Sequence, residues 1–370
     1  MVSKILLIIG HWLFALSALF SSTQVVTPVS TIPISTSTPT VMHVATTTPV
    51  KQPVSPVLVN KVIPKSVTQI VTPQKSIPVT PVVAVPPPNF DAINIAARKA
   101  LVNILCTTQT GGGLSPISGS GVVISPDGVI VTNAHVAQYF LLQNFNGQKN
   151  FVQCIVRTGS PAYPTYLAKL VYISPQWVMN NSTNLVEQDP TGTGEHDYAF
   201  LKITASISGT PLGTSLSYLA VNVAKDVQVG DNILLASYPA GFLGGITIEN
   251  DLNQSSAITQ VSQVFTFDTN TTDLISVPGT VVSQKGSSGG AAVNAQSQLE
   301  GIISTATDTT TTSTRDLRAI RMDYINRDLS ANASISLQTL ITNADVVSAD
   351  FNQNIAPALT TILTKAILGN

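Results

Sequence analysis

The sequence predicts an all-β fold of barrels or sandwiches over its central region, and three observations carry that prediction. From about residue 100 to Leu329 the chain is a succession of short β-prone runs. Gly, Pro, Asn and Ser signals separate the runs. No helical periods alternate with them, which argues against a parallel sheet and for antiparallel architecture. Only the two flanks of this region have helical character.

Taken in order, the chain begins with Lys4 and an apolar run from Ile5 to Phe20. A short basic start followed by about 15 apolar residues has the character of a secretory leader. Ala15-Leu16-Ser17 offers a small-x-small cleavage site, but the run continues past it. Residues 1–21 therefore read as a signal peptide or as an N-terminal membrane anchor. A buried core helix is a third alternative, which the terminal position and charge pattern disfavour. Both secretory readings place the remainder outside the cytoplasm, either secreted or tethered to the membrane by this segment.

Residues 22–88 change composition abruptly to Pro, Thr, Val and Ser, with Lys51, Lys61, Lys65 and Lys75 and no Asp, Glu or Gly. Prolines from Pro28 through Pro86-Pro87-Pro88 forbid a helix and interrupt any strand ladder. No fixed period marks a binding repeat. The prediction is a disordered, semi-extended stalk whose upper reach is on the order of 200 Å, at about 3.1 Å per residue.

The globular region is expected over residues 89–330. Ala92 to Leu101 spaces its apolar residues for a helical lead-in. The expected strands include Val102–Cys106, Gly121–Ile124, Val129–Thr132, Phe151–Val156, Asn232–Ala236, Ser256–Val261, Leu299–Ser304 and Leu317–Ile320. Residues 331–370 form a C-terminal helical extension. Leu337, Leu340 and Ile341 share one helix face, as do Leu359, Ile362, Leu363, Ala366 and Ile367. Pro357 suits the first turn of the last helix. Packing on the barrel is the usual reason for such stripes.

Composition excludes some functions. Charged residues make up 10% of the chain and the net charge is −1, so the basic surface of a nucleic-acid binder is missing. Two cysteines and four histidines argue against a structural zinc site. Cys106 and Cys154 each fall in an expected strand. In an extracytoplasmic setting they are slightly favoured as one disulfide, with two buried free thiols as the alternative.

Chemistry gathers at three places. Beyond the leader and stalk the histidines are His135 and His196. His135 follows the strand Val129–Thr132 directly and is placed to point into a cleft. Asp197, beside His196, heads the alternating run Tyr198–Ile203. Ser288 sits in Lys285-Gly286-Ser287-Ser288-Gly289-Gly290, a tight turn suited to an exposed nucleophile. The amides of Gly286 and Ser288 are placed to converge on an oxyanion. A serine nucleophile needs a base near neutral pKa, and that base needs a carboxylate to fix its tautomer. His135, Asp197 and Ser288 supply these types, and the chemistry calls for no metal and no cofactor. Each alone has a bland structural reading; their joint occurrence in strand–loop contexts favours catalysis.

Five ordered blocks resemble the trypsin-like serine peptidases, and most of all their bacterial HtrA-type branch. They are Ser118–Gly128, Thr132-Asn133-Ala134-His135-Val136, His196–Ile203, Val229–Gly241 and Gly286–Gly290. The resemblance implies a chymotrypsin-like pair of six-stranded antiparallel β-barrels with the triad in the cleft between them. It also implies that Pro278–Lys285 (with Val282) and Ser304-Thr305-Ala306 line the primary pocket. No acid occurs in these segments, so small or medium apolar side chains are the expected preference, with Glu300 and Asp308 as nearby acids that work against it. Two departures matter. Ser287 stands where trypsin has the aspartate that pairs with a new N-terminus, so activation by that ion pair is not expected. The residues after the peptidase region are too few for a PDZ domain. The expected function is an extracytoplasmic serine endopeptidase acting on polypeptides. The alternatives are an esterase using the same triad and a non-catalytic surface-binding protein that keeps the fold.

Overall fold

The structure is a computed structural model that describes residues 87–109, 114–187, 192–224, 227–267, 270–306 and 316–369. The chain divides into two units, Met1–Thr80 and Pro81–Asn370, and the account below is of the second. The expected leader lies outside the described residues, as does the stalk except for Pro87 and Pro88.

Helix α1 (Phe90–Ala100) opens the folded region. The Asn89 side chain caps it by accepting from the Ala92 amide at 3.1 Å, with Asp91 in the first turn and Arg98 and Lys99 in the last. That charge order complements the helix dipole. Ile93, Ala97 and Ala100 form its buried face.

The first barrel is closed, in the order β1-β2-β3-β6-β5-β4. Its strands are β1 (Leu101–Thr108), β2 (Ile117–Val123), β3 (Val129–Thr132), β4 (Val152–Thr158), β5 (Tyr163–Ile173) and β6 (Ala199–Ser206). Every pairing is antiparallel. The β1–β4 seam that completes the barrel sets Cys106 opposite Cys154, and their sulfurs are bonded across 48 residues of chain. Fixing a loop of that length removes unfolded-state entropy equivalent to about 4 kcal/mol. Short helices α2 (Ala134–Ala137) and α3 (Pro175–Asn181) follow β3 and β5.

The second half is a seven-stranded sheet in the order β8-β7-β11-β12-β13-β10-β9. Its strands are β7 (Asn232–Ser237), β8 (Ser255–Gln260), β9 (Gln263–Phe265), β10 (Leu274–Pro278), β11 (Ala291–Val293), β12 (Leu299–Ala306) and β13 (Asp316–Arg321); helix α4 (Gly245–Asn250) precedes β8. The two edge strands, β8 and β9, are consecutive in sequence, with only Val261 and Ser262 between them. That short link brings the edges together and curls the sheet into a half-barrel. Counted as one bent strand, β8–β9 makes this half the six-stranded counterpart of the first, as the chymotrypsin-like architecture requires.

Alternation along these strands explains their continuous hydrophobicity. Ile233, Leu235, Ala292, Leu317 and Ala319 fill the core of the curled sheet. Leu234, Ala236, Ala291, Val293 and Ile320 point the other way, into the main core shared with the first barrel. Both faces are covered, so a half-polar pattern is not expected.

Four helices finish the chain: α5 (Met322–Ala333), α6 (Leu337–Thr342), α7 (Ala344–Asn354) and α8 (Ala356–Leu368). Leu337, Leu340, Leu359 and Leu363 are buried, as their spacing predicts. The short α6 starts at Ser336, whose side chain accepts from the Thr339 amide at 3.1 Å. Among the described residues no helix is long and apolar enough to cross a membrane.

Candidate active site

His135 owes its position to the junction of β3 and α2. The Asn133 carbonyl accepts from the amides of Val136 (3.2 Å) and Ala137 (3.0 Å), starting a short helix that presents the ring to the cleft. Asn133 Nδ2 donates to the Asp197 carbonyl at 2.8 Å, tying the aspartate's backbone to the same junction. The Asp197 carboxylate is enclosed. Its Oδ1 accepts from the His135 amide at 3.0 Å and its Oδ2 lies 2.9 Å from His135 Nδ1. The Ser304 hydroxyl also donates to Oδ2, at 2.8 Å. A carboxylate at Nδ1 places the imidazole hydrogen there and leaves Nε2 as the basic nitrogen.

Charge and burial compete at this pair. Burial disfavours the ionised Asp197, but the His135 charge, the His135 hydrogen bonds and the Ser304 hydroxyl outweigh it and hold the carboxyl below its ordinary 3.8. Burial likewise works against the His135 imidazolium. The Asp197 charge and hydrogen bond prevail, raising His135 above 6.5. The ring keeps 31% of its side-chain surface accessible, so it can meet a substrate.

Ser288 approaches through Ser304. Its hydroxyl donates to the Ser304 carbonyl at 3.4 Å, while the Ser304 hydroxyl serves Asp197. One residue of β12 thus joins the Ser288 hydroxyl to the Asp197 carboxylate. In this rotamer Ser288 Oγ makes no hydrogen bond to His135 Nε2.

The turn that carries Ser288 is held from both barrels. Ser120 in β2 donates its amide to the Ser288 carbonyl at 2.7 Å and its hydroxyl to the Gly286 carbonyl at 2.8 Å. The same hydroxyl accepts from the Tyr238 amide at 2.9 Å. The Ala240 amide donates to the Lys285 carbonyl at 2.7 Å, which fixes the peptide bearing the Gly286 N–H. Among the described residues, the amides of Gly286 and Ser288 donate to no protein acceptor. Gly286 has φ +90°, and a Cβ there would stand 2.8 Å from the Tyr238 carbonyl oxygen. Gly289 (φ +83°) packs so closely on Ser120 that a side chain would strike its carbonyl. Both positions require glycine. Ser287 is 1% exposed, and its hydroxyl accepts from Ser237 Oγ at 2.9 Å. An internal hydroxyl pair therefore holds the residue next to Ser288.

The residues expected at the primary pocket distribute differently. Val282 is fully buried in the core of the curled sheet. Ser304 commits its hydroxyl to Asp197 and its carbonyl to Ser288, and Thr305 follows it in β12. Glu300 is committed elsewhere: its carboxylate lies 2.8 Å from Arg321 in a pair whose side chains are 2% and 0% exposed. Asp308 lies outside the described residues. In the sequence Ser120 stands only within a glycine-flanked block, and its clamp on the turn is not announced there. The sole available signal was that flanking, Gly119 and Gly121, where backbone comes close to backbone.

Fold and site together define a chymotrypsin-like peptidase scaffold. Residues 119–302 match the family model of the trypsin-like peptidase domain, and His135, Asp197 and Ser288 all fall within the matched span. No curated protein matches the chain.

Proposed function

We propose that this protein is an extracytoplasmic serine endopeptidase, akin to the HtrA-type branch, with His135, Asp197 and Ser288 as its triad. The observation that carries the reading is the bridge made by Ser304, which links the Ser288 hydroxyl to the carboxylate that orients His135. In the reaction the Ser288 hydroxyl leaves the Ser304 carbonyl and hydrogen-bonds to His135 Nε2. The base accepts the proton as Oγ adds to the peptide carbonyl, and the unengaged amides of Gly286 and Ser288 receive the oxyanion. His135 then protonates the leaving amine. Water, activated by the same nitrogen, hydrolyses the acyl-enzyme. The commitment of Glu300 to Arg321 supports a primary pocket for small or medium apolar side chains. The apolar run from Ile5 to Phe20 supports export, which N-terminal sequencing of native protein tests.

Labelling with a serine-directed fluorophosphonate tests the chemistry. The wild-type chain forms an adduct and Ser288→Ala does not; absence of a Ser288-dependent adduct would leave a non-catalytic binding protein on the same fold. Panels of peptide and ester substrates separate endopeptidase from esterase.

A further inference from the structure

A second His–Asp pair adjoins the first through the consecutive residues His196 and Asp197. His196 Nδ1 is 3.0 Å from both carboxylate oxygens of Asp328, a residue of α5. Asp328 is 9% exposed, and it also accepts from Tyr198 Oη at 2.8 Å and from Asn332 Nδ2 at 2.9 Å. Helix α5 holds the His196 backbone too, since the Tyr324 hydroxyl accepts from its amide at 3.1 Å. The other groups facing this site are Glu195, 3.8 Å from His196 Nε2, and Tyr172, whose ring lies 6.2 Å from that of Tyr198. Beyond Tyr324, Arg327 lies over its ring and pairs with Asp273 and Asp323.

His196 is held at φ +58°, a left-handed conformation that costs a non-glycine residue and persists only where its surroundings enforce it. The next residue is Asp197, whose carbonyl Asn133 grips from the other side. Relaxing the turn at His196 would shift the carboxylate against His135. A displacement of about 1 Å in such a site costs on the order of 100-fold in rate.

We propose that His196 and Asp328 are a positioning pair that holds Asp197 in register with His135, making α5 part of the catalytic framework. The rate consequences rest on the peptidase reading above; the geometry does not. The Asp328 hydrogen bond, opposed by burial and aided by the charges of Asp328 and Glu195, raises the His196 pKa above 6.5. The ionic part of the clamp is therefore complete below 6.5 and is lost as pH rises through the raised value. The clamp is thus tighter in acidic than in alkaline solution.

The test compares full-length wild type with Asp328→Asn and His196→Asn, reading kcat, KM and their pH profiles beside the NMR titration of the His135 ring. Asp328→Asn is expected to lower kcat about tenfold with KM within about twofold, and to lower the midpoints of the pH profile and of the His135 titration. Wild-type kcat, profile and His135 titration in Asp328→Asn would overturn the proposal. If Asp328→Asn does not fold, His196→Asn decides by the same criteria. If Ser288 proves unreactive in the wild type, the peptidase reading fails on its own and the His135 titration still decides this one.

Discussion

Burial and charge pull the His135 pKa in opposite directions, and the outcome sets the pH at which the site can work. Desolvation disfavours the imidazolium; the Asp197 charge and hydrogen bond overcome it and leave the group above 6.5. The ring is a base only when neutral, so kcat/KM should rise with pH through a midpoint above that value. For stability the sign is reversed: a raised folded pKa contributes fully below 6.5, and the contribution is lost as pH climbs through the folded value. Asp197→Asn removes the charge and keeps the burial. Its midpoint should fall below the wild-type one, and kcat should drop by about 10⁴-fold because the amide no longer enforces the Nδ1–H tautomer. A pH series of kcat/KM on both proteins checks this; an unshifted Asp197→Asn midpoint would contradict it.

At the scale of elements, the turn that carries Ser288 is a second-barrel loop gripped by a first-barrel strand. Ser120→Ala strips the Gly286 carbonyl and the Tyr238 amide of their shared hydroxyl, which should cost about 1–3 kcal/mol in urea unfolding. Because that hydroxyl fixes the peptide between the two oxyanion amides, kcat should fall about 10- to 100-fold with KM little changed. A stability loss with unchanged kcat would reduce Ser120 to a scaffold residue. This element also shows what was legible in the sequence. The Gly-rich turn, the rare histidine and the strand-leading aspartate stand out locally, since each carries a short-range signal. The clamp does not, because Ser120 and Gly286 are 166 residues apart and nothing near Ser120 names its partner. Ser304 was legible as a neighbour of the site through resemblance, yet its bond to Asp197 depends on how β12 crosses toward the β6 side. Helix α7 escaped notice for a different reason. Its buried positions are Ala344, Ser348 and Phe351, a stripe with helical spacing but a polar residue at its centre, so hydrophobic periodicity is faint there.

That serine shows how the whole molecule is assembled. The β5–β6 ladder is irregular between Leu170 and Tyr172, and the Leu170 carbonyl accepts instead from Ser348 Oγ at 2.7 Å and Asn352 Nδ2 at 2.9 Å. A bulge in the first barrel is thus the docking point for α7, and Thr360 of α8 repeats the device by donating to the Leu141 carbonyl at 3.1 Å. Phe351, 2% exposed, enters beside these bonds with its ring 5.4 Å from that of Tyr172. Tyr172 neighbours Tyr198, which holds Asp328, so the C-terminal layer buttresses the side of the molecule that carries the aspartate turn. Phe351→Ala would leave a cavity between helix and barrel and should destabilise the protein by about 3–5 kcal/mol, whereas Phe351→Leu, which keeps most of the volume, should cost less than half as much. Urea unfolding followed by tryptophan fluorescence measures both. If the helices merely rested on a barrel stable without them, Phe351→Ala would melt α7 and α8 in a separate early transition and leave the main one in place. The continuous core that runs from the strands into α6, α7 and α8 predicts a single transition moved to lower denaturant.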